Sequence, residues 1–136
     1  MLIHGSSVTF GARGVLITGA PGTGKSSLAL SLMAIGADLI SDDRTILRRD
    51  DCDLWAEAPE AIRGQIEARG FGILNAHASG PARVVLAVDL DRTEDQRLPP
   101  MRHTEFLGLA VPLVLGANAP HLHVALRQYV LAGRHA

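Results

Sequence analysis

Gly19-Ala20-Pro21-Gly22-Thr23-Gly24-Lys25-Ser26 is the stretch on which the reading of this chain turns. It fits the pattern G-x-x-x-x-G-K-[ST], and its flanks fit the setting that pattern needs. Before it, Val15-Leu16-Ile17 is an unbroken apolar run, as expected of a strand buried on both faces. After it, Leu28, Leu32 and Ile35 recur at i, i+4 and i+7. That spacing predicts a helix over residues 25–35, and Gly36 supplies a left-handed residue to end it. In such a loop the glycines let successive N–H groups converge on phosphate oxygens, and the helix N-terminus adds partial positive charge. All eight residues are therefore candidate nucleotide-binding residues, with Lys25 reaching the β- and γ-phosphates and Ser26 placed to ligate Mg²⁺. The implied ligand is MgATP, since no N-K-x-D stretch is present to read guanine.

Outward from the loop, residues 2–10 and 14–18 read as two strands joined by a turn at 11–13. Leu39-Ile40 is a short strand ending in Ser41-Asp42-Asp43. Residues 45–48 and 54–57 form a hairpin, and 65–69 and 71–74 are two extended pieces around Gly70 and Gly72. Residues 84–90 and 111–115 are strands, separated by a polar loop over 91–104 that holds Pro99 and Pro100. A last helix carries Pro120 in its first turn and an apolar face of Leu122, Ala125, Leu126, Tyr129 and Val130.

The 136 residues suffice for one domain, and a net charge of −1 provides no global basic field for nucleic acid or anionic lipid. Aromatic residues at 4% are too few for base-stacking platforms. The single cysteine, Cys52, can form no internal disulfide, which fits a reducing cytoplasm. The N-terminus has no signal-peptide pattern, and the apolar runs at 84–88 and 109–115 are too short to cross a bilayer. The expectation is a cytoplasmic protein with neither membrane nor nucleic-acid partners.

Asp42 and Asp43 follow the strand after the loop's helix, where ligands gather in this fold class. They are candidates for metal ligation and proton acceptance, and as neighbours they point in different directions. Glu67, Arg69, Gly70 and Gly72 form a second cluster, in which a carboxylate could complete a Mg²⁺ shell and an arginine could neutralise phosphoryl charge. The remaining histidines show no metal-ligand spacing.

His4-Gly5, the glycine loop, Asp42-Asp43 and Glu67-Ala68-Arg69-Gly70-Phe71-Gly72 occur here in one order and spacing. In these motifs the chain resembles the C-terminal catalytic domain of HPr kinase/phosphorylase, in a short form like that of some alphaproteobacteria. The likeness is good over residues 2–89 and fades beyond. It implies a single P-loop kinase domain over residues 1–136: α/β, with a central mixed β-sheet flanked by helices and a PEP-carboxykinase-like nucleotide site. It implies transfer of the γ-phosphoryl group of ATP to a serine of HPr, the carrier of the phosphotransferase system. Under the resemblance Asp43 is the base, Lys25 the phosphate clamp, and Ser26 and Glu67 partners of Mg²⁺. His4 is the histidine near Asp43, and Arg97 matches a catalytic arginine loosely, because Pro99 replaces the family's glycine.

The chain also departs from the family. It begins almost at His4, without the N-terminal domain of long members, and ends soon after its last helix. Long members are hexamers, so a homo-oligomer is possible here. A basic glycine segment linked to the reverse, dephosphorylating reaction aligns with Val114-Leu115-Gly116-Ala117-Asn118, which lacks its arginine. The expectation is a kinase with little phosphorylase activity. Two rival readings are a small-molecule P-loop kinase, with Arg92, Arg97 and Arg102 as an arginine-rich lid, and a nucleotide-binding sensor without transfer activity.

Overall fold

The computed structural model describes all 136 residues. Ten strands and two helices follow one another as β1 (Leu2–Phe10), β2 (Arg13–Thr18), α1 (Lys25–Ala34), β3 (Asp38–Ser41), β4 (Arg44–Asp50) and β5 (Asp53–Glu57). Then come β6 (Gln65–Ala68), β7 (Gly72–Asn75), β8 (Ala82–Asp89), β9 (Arg102–Phe106), β10 (Leu109–Leu115) and α2 (Leu122–Ala132). The expected hairpins β1–β2 and β4–β5 are antiparallel. β6 and β7 form a separate two-stranded sheet.

The main sheet is mixed. β8 runs parallel to both β2 and β10, and β9 closes the far edge antiparallel to β10. β1 pairs with β2 on one side and with β3 and β4 on the other. β5 in turn pairs with the start of β8, so the pairings β2–β1–β4–β5–β8 return to β2 as a ring. A register shift between Gly14 and Val15 leaves one extra residue in β8 between Val84 and Leu86. Side chains alternate along a strand, so one extra residue turns the following ones to the other face. Ala82 and Val84 accordingly join the cluster with Leu16, Leu47 and Leu54, whereas Leu86 and Val88 join the helix-side cluster. Gly14 is required at this crossing, because a Cβ there would lie 2.7 Å from the Arg83 carbonyl oxygen.

Both helices cover one face. Leu28, Ala29 and Leu32 of α1 and Leu126 and Val130 of α2 pack with Val8, Val15, Ile17 and Val88. Each fully buried leucine contributes roughly 1.5–3 kcal/mol relative to exposure. The mixed sheet flanked by helices is as expected, with both helices on one face; the other cluster is built from strands alone. The ring of strands covers that second core itself.

Three expectations need correction. Residues 102–104 are not loop: Arg102–Phe106 is β9, paired along β10, and its polar sequence reflects an edge strand with little burial. Pro120 lies before α2, whose N-cap is His121 at φ 54°, so it is not in the first turn. Ala125 is exposed on α2 and is not part of its packed face. Residues 25–35 behave as expected. The α1 cap is Ile35, Gly36 has φ 113°, and Gly36 N–H and Ala37 N–H donate to the Met33 and Leu32 carbonyls.

Candidate functional site

The β2 strand delivers Thr18 to the glycine loop, and Gly24 caps α1 at φ 97° without any side-chain cap. No acidic residue occupies the first turn of α1. Within the loop, Thr23 N–H and Thr23 Oγ–H both donate to the Ala20 carbonyl, at 3.3 and 2.8 Å. Ala20 N–H donates to Asp91 Oδ1 at 2.9 Å. The N–H groups of Gly22, Gly24, Lys25, Ser26 and Ser27 have no acceptor in the protein. They open a helix whose dipole places partial positive charge at that end.

These amides face a mainly polar hollow of about 360 Å³, whose walls include Lys25, Ser26, Asp43, Glu67 and Arg69. Lys25 lies back on its own loop, with Nζ donating to the carbonyls of Gly19 and Ala20 at 2.8 and 3.1 Å. Glu67 and Arg69 arrive from the β6–β7 hairpin and are exposed. Asp43 is exposed at φ 67°, which Asp tolerates better than most residues.

Asp42 and Asp43 do diverge. Asp42 is 6% exposed, and its carboxylate accepts three hydrogen bonds. Ser26 Oγ–H and Ser6 Oγ–H donate to Oδ1 at 2.6 and 2.9 Å, and Glu67 N–H donates to Oδ2 at 3.0 Å. Ser6 Oγ also accepts Asp43 N–H at 3.1 Å. One buried carboxylate thus joins the first turn of α1, strand β1 and the β6–β7 hairpin. Asp42 does not line the hollow beside the loop; it lies beneath Ser26. Because the Ser26 proton is directed at Asp42, the oxygen lone pairs of Ser26 are left for a cation.

The structure does not bring Arg97 to this place: it is exposed in the 91–101 loop and lines none of the hollow. His4 is exposed on β1 opposite Arg44, one residue along from Asp43, and its side chain makes no hydrogen bond to the protein. Two residues escaped the sequence reading. Ser6 holds Asp42 and Asp43 together, and as one of several polar residues of β1 it carried no signal of its own. Asp91 reaches the loop from the end of β8, which could have been located only by knowing that β8 lies beside β2. Of the loop arginines, Arg92 pairs with Asp89 at 2.8 Å and Arg102 with Glu94 at 2.8 Å. The Arg102 hydrogen bonds hold the Glu94 carboxyl below the usual glutamate range and raise the Arg102 guanidinium, against partial desolvation of both.

No group of three or more His, Cys, Asp or Glu side chains is arranged to hold a metal by itself. A hard divalent cation that takes one or two protein oxygens and completes its shell from phosphates fits Ser26 and the nearby carboxylates better.

Fold and site together define the class: a mixed α/β domain that presents unpartnered helix-opening amides, a lysine and acidic side chains around one polar hollow. Comparison with known proteins narrows the class. Residues 1–96 match the family described as HPr Serine kinase C-terminal domain, and the chain belongs to that family. It is 38% identical over 135 residues to the HPr kinase/phosphorylase of Halalkalibacterium halodurans, covering 92% of this chain and 42% of that protein. It is 47% identical over 74 residues to the enzyme of that name from Bacillus subtilis, covering 54% of this chain and 24% of the relative. The chain thus spans less than half the length of these curated relatives. Its fold matches the structure of the Hpr(Ser) kinase/phosphatase from Coxiella burnetii with a TM-score of 0.82 and 27% identity. That match covers 96% of this chain and 91% of the other. No helix here is long and apolar enough to cross a membrane.

Proposed function

We propose that this chain is a P-loop kinase domain over residues 1–136 that transfers the γ-phosphoryl group of ATP to a serine of an HPr-like phosphocarrier, in the cytoplasm. The observation that carries the reading is the polar hollow in which five unpartnered amides, Lys25, Ser26, Asp43, Glu67 and Arg69 converge. Family membership supplies the acceptor class. It also supports a PEP-carboxykinase-like placing of the nucleotide.

In the proposed reaction the loop amides and Lys25 grip the polyphosphate, and Lys25 exchanges its two carbonyl partners for phosphate oxygens. The acceptor serine enters beside Asp43, which accepts the hydroxyl proton as the new O–P bond forms and the bond to the β-phosphate oxygen breaks. ADP leaves, and the phosphoserine departs with its carrier. Arg69 offsets charge on the transferring group. Mg²⁺, held by Ser26 with Glu67 or Asp43 at hand, would neutralise charge on the β- and γ-oxygens when bound. Asp42 acts by fixing Ser26 and the Glu67 main chain rather than from within the hollow. His4 stands opposite Arg44, the residue after Asp43, across the β1–β4 pair; Arg97 receives no role.

The small-molecule kinase reading loses support, because of its three lid arginines Arg102 lies in β9 and both Arg92 and Arg102 are tied to carboxylates. The test is incubation with MgATP and purified HPr, followed by mass analysis. One phosphoryl group added to a serine is the expected result, and an unmodified carrier would refute the proposal. The lack of an arginine at Ala117 leads us to expect little release of pyrophosphate from phosphoserine-HPr and inorganic phosphate.

A further inference from the structure

Strand β9 (Arg102–Phe106) ends the main sheet, and its one partner is β10, so a whole edge of the strand is unpaired. The turn after it, Leu107-Gly108 with φ 52° and 79°, is the two-residue kind that closes a hairpin on a hydrogen-bonded pair, here Phe106 and Leu109. Hydrogen-bonded pairs alternate along an antiparallel ladder, so Thr104 and Arg102 also bond to β10, whereas His103 and Glu105 do not. Pro112 agrees with this alternation: it has no N–H, and it lies opposite His103. The N–H and C=O groups of His103 and Glu105 therefore project from the open edge.

Such an edge is a template for another strand, and proteins commonly blunt it with lysine, proline or a bulge. β9 contains no lysine or proline, and its register against β10 is unbroken from Arg102 to Phe106. Arg102, its one permanent cation, is taken up by Glu94 at 2.8 Å. The residues that flank the strand are apolar: Met101 before it and Leu107 after it are 54% and 39% exposed.

We infer that the β9 edge is an interface for the β9 edge of a second copy of this chain, paired antiparallel about a two-fold axis at Thr104. The inference is independent of the kinase reading. Met101, His103, Glu105 and Leu107, at every second position, are complementary to themselves when reversed. About that axis His103 faces the partner's Glu105 and Glu105 faces the partner's His103, and each pair exchanges two main-chain hydrogen bonds. Both side chains lie on the exposed face, so a basic group stands beside an acidic one twice. One step further out, Met101 falls opposite the partner's Leu107 at either end, apolar on apolar. The neighbouring registers that use the same main-chain groups lose this match. They centre the axis on His103 or on Glu105, and set histidine against histidine or glutamate against glutamate. So short a pairing buries less surface than a standard interface, and the dissociation constant should be about 10–100 µM.

The test is sedimentation velocity of the whole chain from about 1 µM to about 1 mM, where monomer should give way to dimer. His103→Glu sets glutamate against glutamate and should weaken association about tenfold or more. Adding Glu105→Lys to that variant sets glutamate against lysine and should restore the parental constant to within about threefold. The register is read separately, in a Cys52→Ser background that removes the exposed native thiol. Thr104→Cys places two thiols across the axis at a Cα separation of about 4.5 Å, within the reach of a disulfide. Oxidised glutathione should link these copies about tenfold faster than it links Val124→Cys, an exposed position on α2. A monomer throughout the concentration range overturns the inference. So does a dimer that His103→Glu leaves intact, or one in which Thr104→Cys links no faster than Val124→Cys.

Discussion

Replacing Asp42 by alanine should destabilise the fold by about 3 kcal/mol, because it strips the acceptor from three donors at once. Ser6 is fully buried, and the Glu67 N–H is directed at Oδ2, so neither readily finds water in place of the carboxylate. Ser26 Oγ–H can turn into the polar hollow and is solvated there. Two hydrogen bonds to a charged acceptor, at about 1.5–3 kcal/mol each and sharing one partner, give the figure. Against a total of about 7–20 kcal/mol for a chain of this length, the loss is large. Asp42→Asn is the control: its Oδ1 can accept Glu67 N–H while both serine hydroxyls rotate to accept from Nδ2, so its cost is about 1 kcal/mol. With a urea slope of about 2 kcal/mol/M, the alanine midpoint should fall by about 1.5 M and the asparagine midpoint by about 0.5 M. Hydrogen exchange at the Glu67 amide should accelerate in Asp42→Ala, since the β6–β7 hairpin loses its tie to the glycine-loop helix. An alanine variant whose midpoint lies within 0.5 M of the parent's, with Glu67 still protected, would refute the claim that this carboxylate holds the site together.

Three other outcomes follow from the same geometry. Asp43→Asn keeps a side chain suited to φ 67°, so ATP affinity should be unchanged while phosphoryl transfer to HPr falls about 10²-fold or more; transfer at the parental rate excludes Asp43 as base. Lys25→Ala should weaken both ATP binding and turnover, measured by titration and by initial rates; unchanged values for both would remove it from the phosphate grip. Glu94 is held below the usual glutamate range by Arg102, so its stabilising effect is fully present above about pH 5 and fades as pH falls through its lowered folded-state value. The stability deficit of Glu94→Gln in thermal melts should therefore shrink between about pH 6 and pH 3; a deficit independent of pH would show that the ion pair is not its cause.

The part of the fold that surrounds the glycine loop was legible because its signals are local. An apolar run, a glycine loop and a 3.6-residue period are each written in a few consecutive residues, and so are the β1–β2 and β4–β5 hairpins. Asp42 and Asp43 do point apart as expected, but the cause is the bend between β3 and β4, where Asp43 has φ 67°. β9 was missed for the converse reason. Arg102-His103-Thr104-Glu105-Phe106 has no apolar alternation, and only the neighbouring β10 makes it a strand.

What the sequence determined by itself is the apparatus at one helix end: which amides are free, which lysine and serine stand beside them, and which acidic residues are near in chain order. Tertiary structure alone decided what surrounds that apparatus. It tied Ser6 and Glu67 to Asp42 across 36 and 25 residues, brought Asp91 to Ala20 across 71, and left Arg97 outside. It also closed the strands into a ring, so that strands cover the second core themselves. The physical reason is range: helix period and loop geometry arise between residues a few positions apart, whereas strand neighbours and buried hydrogen bonds depend on how distant segments share one core.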